Sequence, residues 1–250
     1  MNNSNIKLPI ATFINVVTVT IGSFLGLWLQ QLLSPEMQRI IFQAIGLGTL
    51  IIGMKMAWKI PDGYTIIFIM SLILGGVMGE LLGVQTFLNN LSDQLKTLLD
   101  IGEAQFTEGL VTAFLLFCVG SMVIIGAIEE GVKGDRELLL IKSILDGVSS
   151  IALASAYGIG VWFSIFPMLI FQGGLTMIAG KIAPFFTDNI VYQISAVGGV
   201  LIIGISIRLL NLGEINIENL LPGILVVVLM TWGYDYFKTQ KSDPALANTE

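Results

Sequence analysis

The sequence predicts an all-α fold, a polytopic bundle of about eight transmembrane helices, and three observations lead to this prediction. First, 54% of the 250 residues are hydrophobic and only 12% are charged, whereas a soluble domain carries roughly 25% charged residues. Second, apolar stretches of the roughly 20 residues that cross a bilayer recur along the chain with short connections. Third, the cations concentrate in alternate connections, as they do in multi-pass membrane proteins.

Each predicted span has the length and composition that a bilayer requires. The eight segments are Ile10–Leu33, Gln38–Trp58, Tyr64–Leu82, Phe106–Ile128, Leu138–Gly158, Val161–Ala183, Ile190–Leu210 and Leu220–Phe237. Together they form a single transmembrane domain over residues 1–237. No small-residue cleavage site accompanies the first segment, so we expect a retained helix and not a signal peptide.

Two longer segments lie outside the spans. Residues 84–101 place Phe87, Leu88 and Leu91 at helical spacing among polar residues, which predicts an amphipathic helix that lies flat at the membrane interface. Residues 238–250 are polar, and we expect them to form a disordered cytoplasmic tail.

The distribution of Lys and Arg predicts the orientation. With eight spans, one side receives both termini and nine of the 12 cations, and the other side receives Arg39, Lys96 and Arg208. Removing one span from the fifth and sixth pair weakens the asymmetry to seven against five. Because cytoplasmic loops are enriched in Lys and Arg, the pattern favours eight spans with both termini cytoplasmic.

Composition excludes several classes of function. The formal net charge of -6 leaves no basic stripe for nucleic acid. Histidine is absent and Cys118 is the single cysteine, so the chain lacks the commonest metal ligand, a thiolate cluster and the base of a hydrolase triad. The HExxH, GxSxG and Walker motifs are absent as well. We therefore expect no enzyme, no catalytic residue, no metal and no cofactor, with the lipid bilayer as a partner.

An internal repeat is one interpretation of the glycine spacing. A shift of 151 residues places residues 48–53 on residues 199–204, and it places Gly22 of the first span on Gly173 of the sixth. Such a repeat would relate helices 1–3 to helices 6–8, inverted in the membrane because five spans separate the partners. Chance similarity between apolar segments is the alternative.

Several segments together carry a resemblance to a known family. They are EGLVTAFLLFCVGSMVIIG from Glu108, KSILDGVSSIALAS from Lys142, GIGVWFS from Gly158, FQGGLT from Phe171 and SAVGGVLIIGI from Ser195. On these residues the chain resembles the YqgA/YdfK-like family of bacterial integral membrane proteins (DUF554). The resemblance implies a multi-spanning protein of the bacterial plasma (inner) membrane, and it supplies no activity to carry over.

The clearest candidate site lies in the fifth span, where Lys142 and Asp146 are four residues apart on one helix face. Asp146 lies about 12 Å into the span, and a charge at that depth needs a partner or water. Ser149 and Ser150 continue the same polar face. The pair is either an ion or proton site or a structural pair that fixes helix packing.

Two carboxylates mark the opposite side of the membrane. Glu80 ends the third span and Glu108 begins the fourth, so they could face each other and bind a cation or a proton. In the alternative, Glu108 is favoured by the helix dipole and Glu80 reaches the interface. Glu129 and Glu130, at the other end of the fourth span, are expected to be solvated.

Gln172, Gly173 and Gly174 lie near the middle of the predicted sixth span. An amide beside two glycines at that depth indicates either a helix break that exposes backbone groups to a ligand or a close helix crossing.

These features predict a membrane transporter or channel for a small solute or ion, coupled to protons or cations. In this hypothesis Asp146 binds the cation or proton, Lys142 tunes it, Glu108 serves the outer side, and Gln172 with Gly173 contacts the solute. The alternative is a non-transporting scaffold or sensor that binds a partner protein through the amphipathic helix. The sequence leaves open whether the chain forms a homo-oligomer.

Overall fold

The predicted all-α fold is confirmed by the computed structural model, which describes residues 8–99 and 105–242 and contains no strand in these ranges. The helices are α1 (Ile10–Gln30), α2 (Pro35–Ala57), α3 (Thr65–Leu82), α4 (Val84–Leu99), α5 (Phe106–Cys118), α6 (Ser121–Lys133), α7 (Glu137–Tyr157), α8 (Gly160–Phe163), α9 (Ile165–Met168), α10 (Gly174–Ile182), α11 (Asp188–Leu209), α12 (Ile217–Leu220) and α13 (Gly223–Ser242). A π-helix at Leu169–Gly173 joins α9 to α10, and a 3-10 helix follows α10 at Ala183–Phe185.

Seven of the eight predicted spans correspond to single helical stretches, and the fourth corresponds to two helices. Within the described ranges, seven helical stretches are by themselves long and apolar enough to cross a bilayer. The helices α5 and α6 pass the same test as a pair, but they are bent by 58° where the chain passes through Val119 and Gly120. Over the described residues, the protein therefore contains seven candidate spans, or eight if the bent pair crosses the membrane as one.

The helices α1 and α7 run parallel and approach closely at two glycines. A Cβ atom on Gly22 would lie 2.2 Å from the carbonyl oxygen of Gly147, and one on Gly26 would lie 2.4 Å from that of Ile151. Small residues allow such approach inside a membrane, where burial of apolar surface gives little driving force between helices. The glycines of α1 therefore set the position of α7.

The helix α2 packs antiparallel to α11. A Cβ atom on Gly46 would lie 2.9 Å from the side chain of Leu210, and one on Gly53 would lie 2.8 Å from the carbonyl oxygen of Gly199. In the apolar 18-residue stretch of each helix that could cross the membrane, 78% of the residues of α11 are buried, compared with 17% of those of α2. The central helix of the bundle is therefore α11, and α2 lies at its edge.

The helix α3 packs antiparallel to α13. Gly75 lies against Gly223, and the ring of Tyr64, just before α3, meets the ring of Tyr234 edge-on at 5.1 Å. Here α2 and α3 are the second and third predicted spans, and α11 and α13 are the seventh and eighth. Both antiparallel pairs are therefore compatible with an inverted repeat of spans 1–3 and 6–8. The repeat stays a prediction.

The sixth span is irregular along most of its length. It consists of α8, α9, the π-helix and α10, which follow one another from Gly160 to Ile182. The π-helix contains Gln172 and Gly173, so regular α-helical geometry is lost at two of the three residues that the sequence singled out. A single π-helical turn inside an α-helical segment widens the helix locally and occurs frequently at functional sites.

The amphipathic helix is observed as α4, over Val84–Leu99, and residues 100 and 101 of the predicted segment lie outside the described residues. Leu88 packs against the larger apolar core, whereas Phe87 is exposed. At the other end of the chain, α13 continues to Ser242, beyond the predicted end of the last span. Residues 243–250 of the predicted tail lie outside the described residues.

Candidate functional site

Four polar side chains meet inside the bundle and form what we call the polar core cluster: Asn15, Lys142, Asp146 and Gln172. The ammonium of Lys142 forms an ion pair with Oδ1 of Asp146. Nδ2 of Asn15 donates hydrogen bonds to Oδ2 of Asp146 at 2.9 Å and to Oε1 of Gln172 at 3.2 Å. All four side chains are buried. The cluster therefore joins α1, α7 and the π-helix of the sixth span.

The break between α5 and α6 supplies a second partner for Lys142. Because α5 ends at Cys118, the carbonyl oxygen of Leu116 belongs to the last turn, where no helical N–H group is available. The ammonium donates to this oxygen at 3.4 Å and lies 5.7 Å from the ring centre of Phe117. Both a helix C-terminus and an aromatic face attract a cation. The break between α5 and α6 thus stabilises a positive charge inside the bundle.

The amides of the polar core cluster have hydrogen-bonding capacity that the described residues do not use. Neither Oδ1 of Asn15 nor Nε2 of Gln172 has a hydrogen-bond partner there, and the same is true of Oγ1 of Thr12, one turn earlier on α1. Buried polar groups are nearly always paired. These atoms therefore mark the part of the cluster where a further polar group can be bound.

The structure places Ser149 outside the polar core cluster and Gly173 beside it. Ser149 is exposed and does not continue the polar face of α7. The face of α7 toward α1 runs through Gly147 and Ser150, which lie against Gly22. Gly173 is buried, and a Cβ atom there would lie 3.6 Å from Thr12, so it packs beside the cluster without a close backbone approach.

Glu80 and Glu108 do not face each other. Oε2 of Glu80 accepts a hydrogen bond from Nδ2 of Asn219 at 2.6 Å. Oε1 of Glu108 accepts one from Nη2 of Arg208 at 2.7 Å, and Nη1 of the same guanidinium donates to Oε1 of Glu218 at 2.9 Å. A cation and not a second carboxylate therefore lies opposite Glu108.

A large polar cavity, which we call the vestibule, opens at the end of the bundle where α2 and α5 begin and α11 ends. Its volume is about 840 Å³, within the roughly 300–1,000 Å³ of small-molecule sites. Charged and amide side chains from α2, α4, α5, α11 and α12 line it, among them Arg39, Gln43, Gln85, Glu108, Arg208 and Glu218.

A packed layer around Tyr157 separates the vestibule from the polar core cluster. A small cavity of about 10 Å³ beneath the vestibule is lined by Thr112, Tyr157 and Arg208, among others. The ring of Phe42 meets that of Tyr157 edge-on at 5.7 Å. Along α7, Tyr157 lies about 16 Å beyond Asp146 at 1.5 Å per residue. The two polar regions are therefore stacked along the bundle and separated by side chains.

Asn15 was not predicted to belong to the site, and the prediction that Glu130 is solvated is wrong. Asn15 is an amide within an apolar span, and that isolation was the available signal. Glu130 is 1% exposed and not solvated, since its Oε1 accepts hydrogen bonds from the backbone N–H of Ala11 at 3.0 Å and from Nε of Arg136 at 2.9 Å. The first N–H groups of a helix lack helical partners, and Glu130 serves one of them at the start of α1.

The spans and the charged groups buried between them define a multi-pass helical membrane protein with an ionisable site inside its bundle. The chain matches the family described as "Protein of unknown function (DUF554)" over residues 10–232, and it therefore belongs to the DUF554 family.

Two relatives show the same extent of similarity. The chain is 32% identical over 217 residues to "Uncharacterized membrane protein YdfK" of Bacillus subtilis (strain 168), which covers 86% of this chain and 92% of that protein. It is 30% identical over 227 residues to "Uncharacterized protein YqgA" of Escherichia coli (strain K12), which covers 88% of this chain and 95% of that protein. No solved structure gives a significant match.

Proposed function

We propose that the protein is a transporter or channel that moves a small solute or ion across the membrane, coupled to a cation or a proton. The observation that carries the proposal is the buried pair of Lys142 and Asp146 where two interrupted spans meet. Transporters bring ionisable side chains and broken helices together within the membrane, because unwound backbone groups there can bind an ion.

A purely structural role explains this pair less well. A buried ion pair adds little net stability, because the cost of removing both charges from water offsets their attraction. Close packing of α1 on α7 is already provided by Gly22 and Gly26. The sixth span also contains a π-helix, and single π-helical turns within α-helices are frequent at functional sites. These points support a role for Asp146 beyond packing.

In this proposal Asp146 binds the cation or proton, and Lys142 competes with it as an internal cation. Asn15 and Gln172 orient the carboxylate and offer amide groups to the solute. The vestibule is the entrance, and the layer around Tyr157 closes the path from the vestibule to the polar core cluster. The protein carries out no catalytic chemistry and is not an enzyme.

The proposal includes an orientation. Both termini lie in the cytoplasm, and the vestibule faces the outside of the bacterial plasma membrane. The predicted spans 1–3 and 6–8 act as inverted halves around the site. The excess of cations on the side of the termini supports this arrangement.

Flux into liposomes tests the proposal. Purified protein is reconstituted, and proton, cation and small-solute flux is measured under imposed pH and ion gradients. Asp146→Asn alone leaves the ammonium of Lys142 buried without its carboxylate, so the double variant Lys142→Met/Asp146→Asn is measured beside it. Replacing both members of a buried pair is often neutral for stability. Ser149→Ala, an exposed position on the same helix, is the matched control.

The expected result is flux by the native protein and by Ser149→Ala, and none by a folded double variant. Flux that the double variant retains would remove Asp146 from the mechanism. Absence of flux for every solute, with a double variant as stable as the native protein, would favour the scaffold or sensor, for which the exposed Phe87 of α4 is the first contact to mutate.

A further inference from the structure

The deep end of the vestibule holds two carboxylates joined by one guanidinium. Nη2 of Arg208 donates to Glu108 at 2.7 Å, and Nη1 donates to Glu218 at 2.9 Å. The three side chains come from α5, α11 and α12, so the group holds three elements together. Two negative charges face one positive charge, and the group therefore has a negative charge in excess.

The guanidinium of Arg208 is engaged, whereas the carboxylates have acceptor atoms to spare. Both Nη atoms of Arg208 already donate to carboxylates. Glu218 lines the vestibule and the small cavity beneath it, has 4% of its side chain exposed, and its Oε2 has no hydrogen-bond partner among the described residues. Glu108 is more open, with 36% of its side chain exposed. A carboxylate oxygen without a hydrogen-bond partner forms its strongest hydrogen bonds with a positively charged N–H donor.

The rest of the lining favours an organic molecule over a metal ion. Arg208 occupies the space between the two carboxylates, so one small metal ion cannot be coordinated by both of them. The amide side chains of Gln43 and Gln85 can each donate and accept hydrogen bonds. A volume of about 840 Å³ admits a molecule of many atoms. Arg39 and Asp93 also line the vestibule, so the described part of its lining carries three carboxylates and two guanidinium groups and keeps one negative charge in excess.

We propose that the vestibule binds a small organic cation with a primary ammonium or guanidinium group, whose N–H groups are directed to Glu108 and Glu218. The proposal rests on the proposed function only in treating the vestibule as the entrance, because binding can be measured without transport.

Equilibrium binding of radiolabelled putrescine to the purified full-length protein in detergent tests this proposal, at constant ionic strength and with sodium glutamate as the anionic probe. Glu108→Gln should weaken putrescine binding by about tenfold or more, because a charge-assisted hydrogen bond is lost. Glu36→Gln is the matched control, since it removes one carboxylate from the first turn of α2 and does not line the vestibule.

A second pair of variants keeps the proposal testable if Glu108→Gln is unstable. Gln43 lines the vestibule and is exposed, so a change there should leave the fold intact. Gln43→Lys should weaken putrescine binding several-fold by repulsion, and Gln43→Glu should tighten it.

Weaker binding in Glu108→Gln and Gln43→Lys, with unchanged binding in Glu36→Gln, supports the proposal. Three results would overturn it: preferred binding of glutamate, no saturable binding of putrescine, or a putrescine affinity in Glu108→Gln and Gln43→Lys that equals the affinity of the native protein. Putrescine binding without any flux would support the cation site in the vestibule and refute transport. Flux that depends on Asp146, without putrescine binding, would support transport and refute the cation site.

Discussion

Replacing Gly22 by alanine should force α1 away from α7. A Cβ atom at this position would lie 2.1 Å from Oγ of Ser150 and 2.2 Å from the carbonyl oxygen of Gly147. The hydroxyl of Ser150 can rotate away, but the backbone oxygen cannot. Ordinary contact begins near 3.4 Å, so α1 must move by about 1.2 Å, a distance that a close-packed interior does not absorb.

This movement reaches the polar core cluster, because Asn15 lies two turns earlier on the same helix. A shift of about 1.2 Å would stretch the 2.9 Å hydrogen bond between Asn15 and Asp146 beyond bonding distance. Losing a hydrogen bond to a charged group costs about 1.5–3 kcal/mol, and overpacking costs about 1–3 kcal/mol. The better helix propensity of alanine returns about 1 kcal/mol. The expected net loss is about 1.5–5 kcal/mol.

The assay is equilibrium unfolding in mixed micelles with increasing dodecyl sulfate, followed by tryptophan fluorescence. Gly48→Ala on α2 is the matched control, because a Cβ atom there meets nothing within 4 Å. It should be at least as stable as the native protein, whereas Gly22→Ala should unfold at a lower detergent fraction. Equal midpoints for the two variants would show that α1 and α7 do not approach as closely as the structure places them.

Three further perturbations address the buried charges. Asp146→Asn should cost about 3–5 kcal/mol because it leaves Lys142 unpaired, and Lys142→Met added to it should recover most of that loss in the same titration; a double variant no more stable than the single one would contradict this. Arg208→Ala should cost a similar amount by unpairing Glu218, and thermal unfolding should show that Glu218→Gln added to it restores part of the stability. No restoration would mean that the ion pair is not the interaction lost. Glu130→Gln keeps an acceptor for the first turn of α1, whereas Glu130→Ala should cost about 1–3 kcal/mol and speed hydrogen exchange at the start of α1; equal exchange in both variants would speak against this contact.

The spans, the amphipathic helix and the Lys142–Asp146 pair were predictable because each depends on local rules. A bilayer requires roughly 20 consecutive apolar residues to cross it, and residues four apart share a face of a helix in any fold. The irregularity of the sixth span also had a local signal, which is the amide of Gln172 beside Gly173 in an apolar segment. In contrast, the bend after Cys118 had no strong local signal, and the apolar composition of residues 106–128 predicted one continuous span.

The partners of the charged residues were decided by tertiary structure alone. Asn15 meets Asp146 across 131 residues and Glu108 meets Arg208 across 100 residues. Which helix faces adjoin depends on how closely the backbones pack at glycines such as Gly22, and this is a property of two surfaces and not of one stretch of sequence. The sequence by itself therefore determined the membrane class, the spans and the charged pair, whereas only the packed bundle separated Glu80 from Glu108 and formed the vestibule.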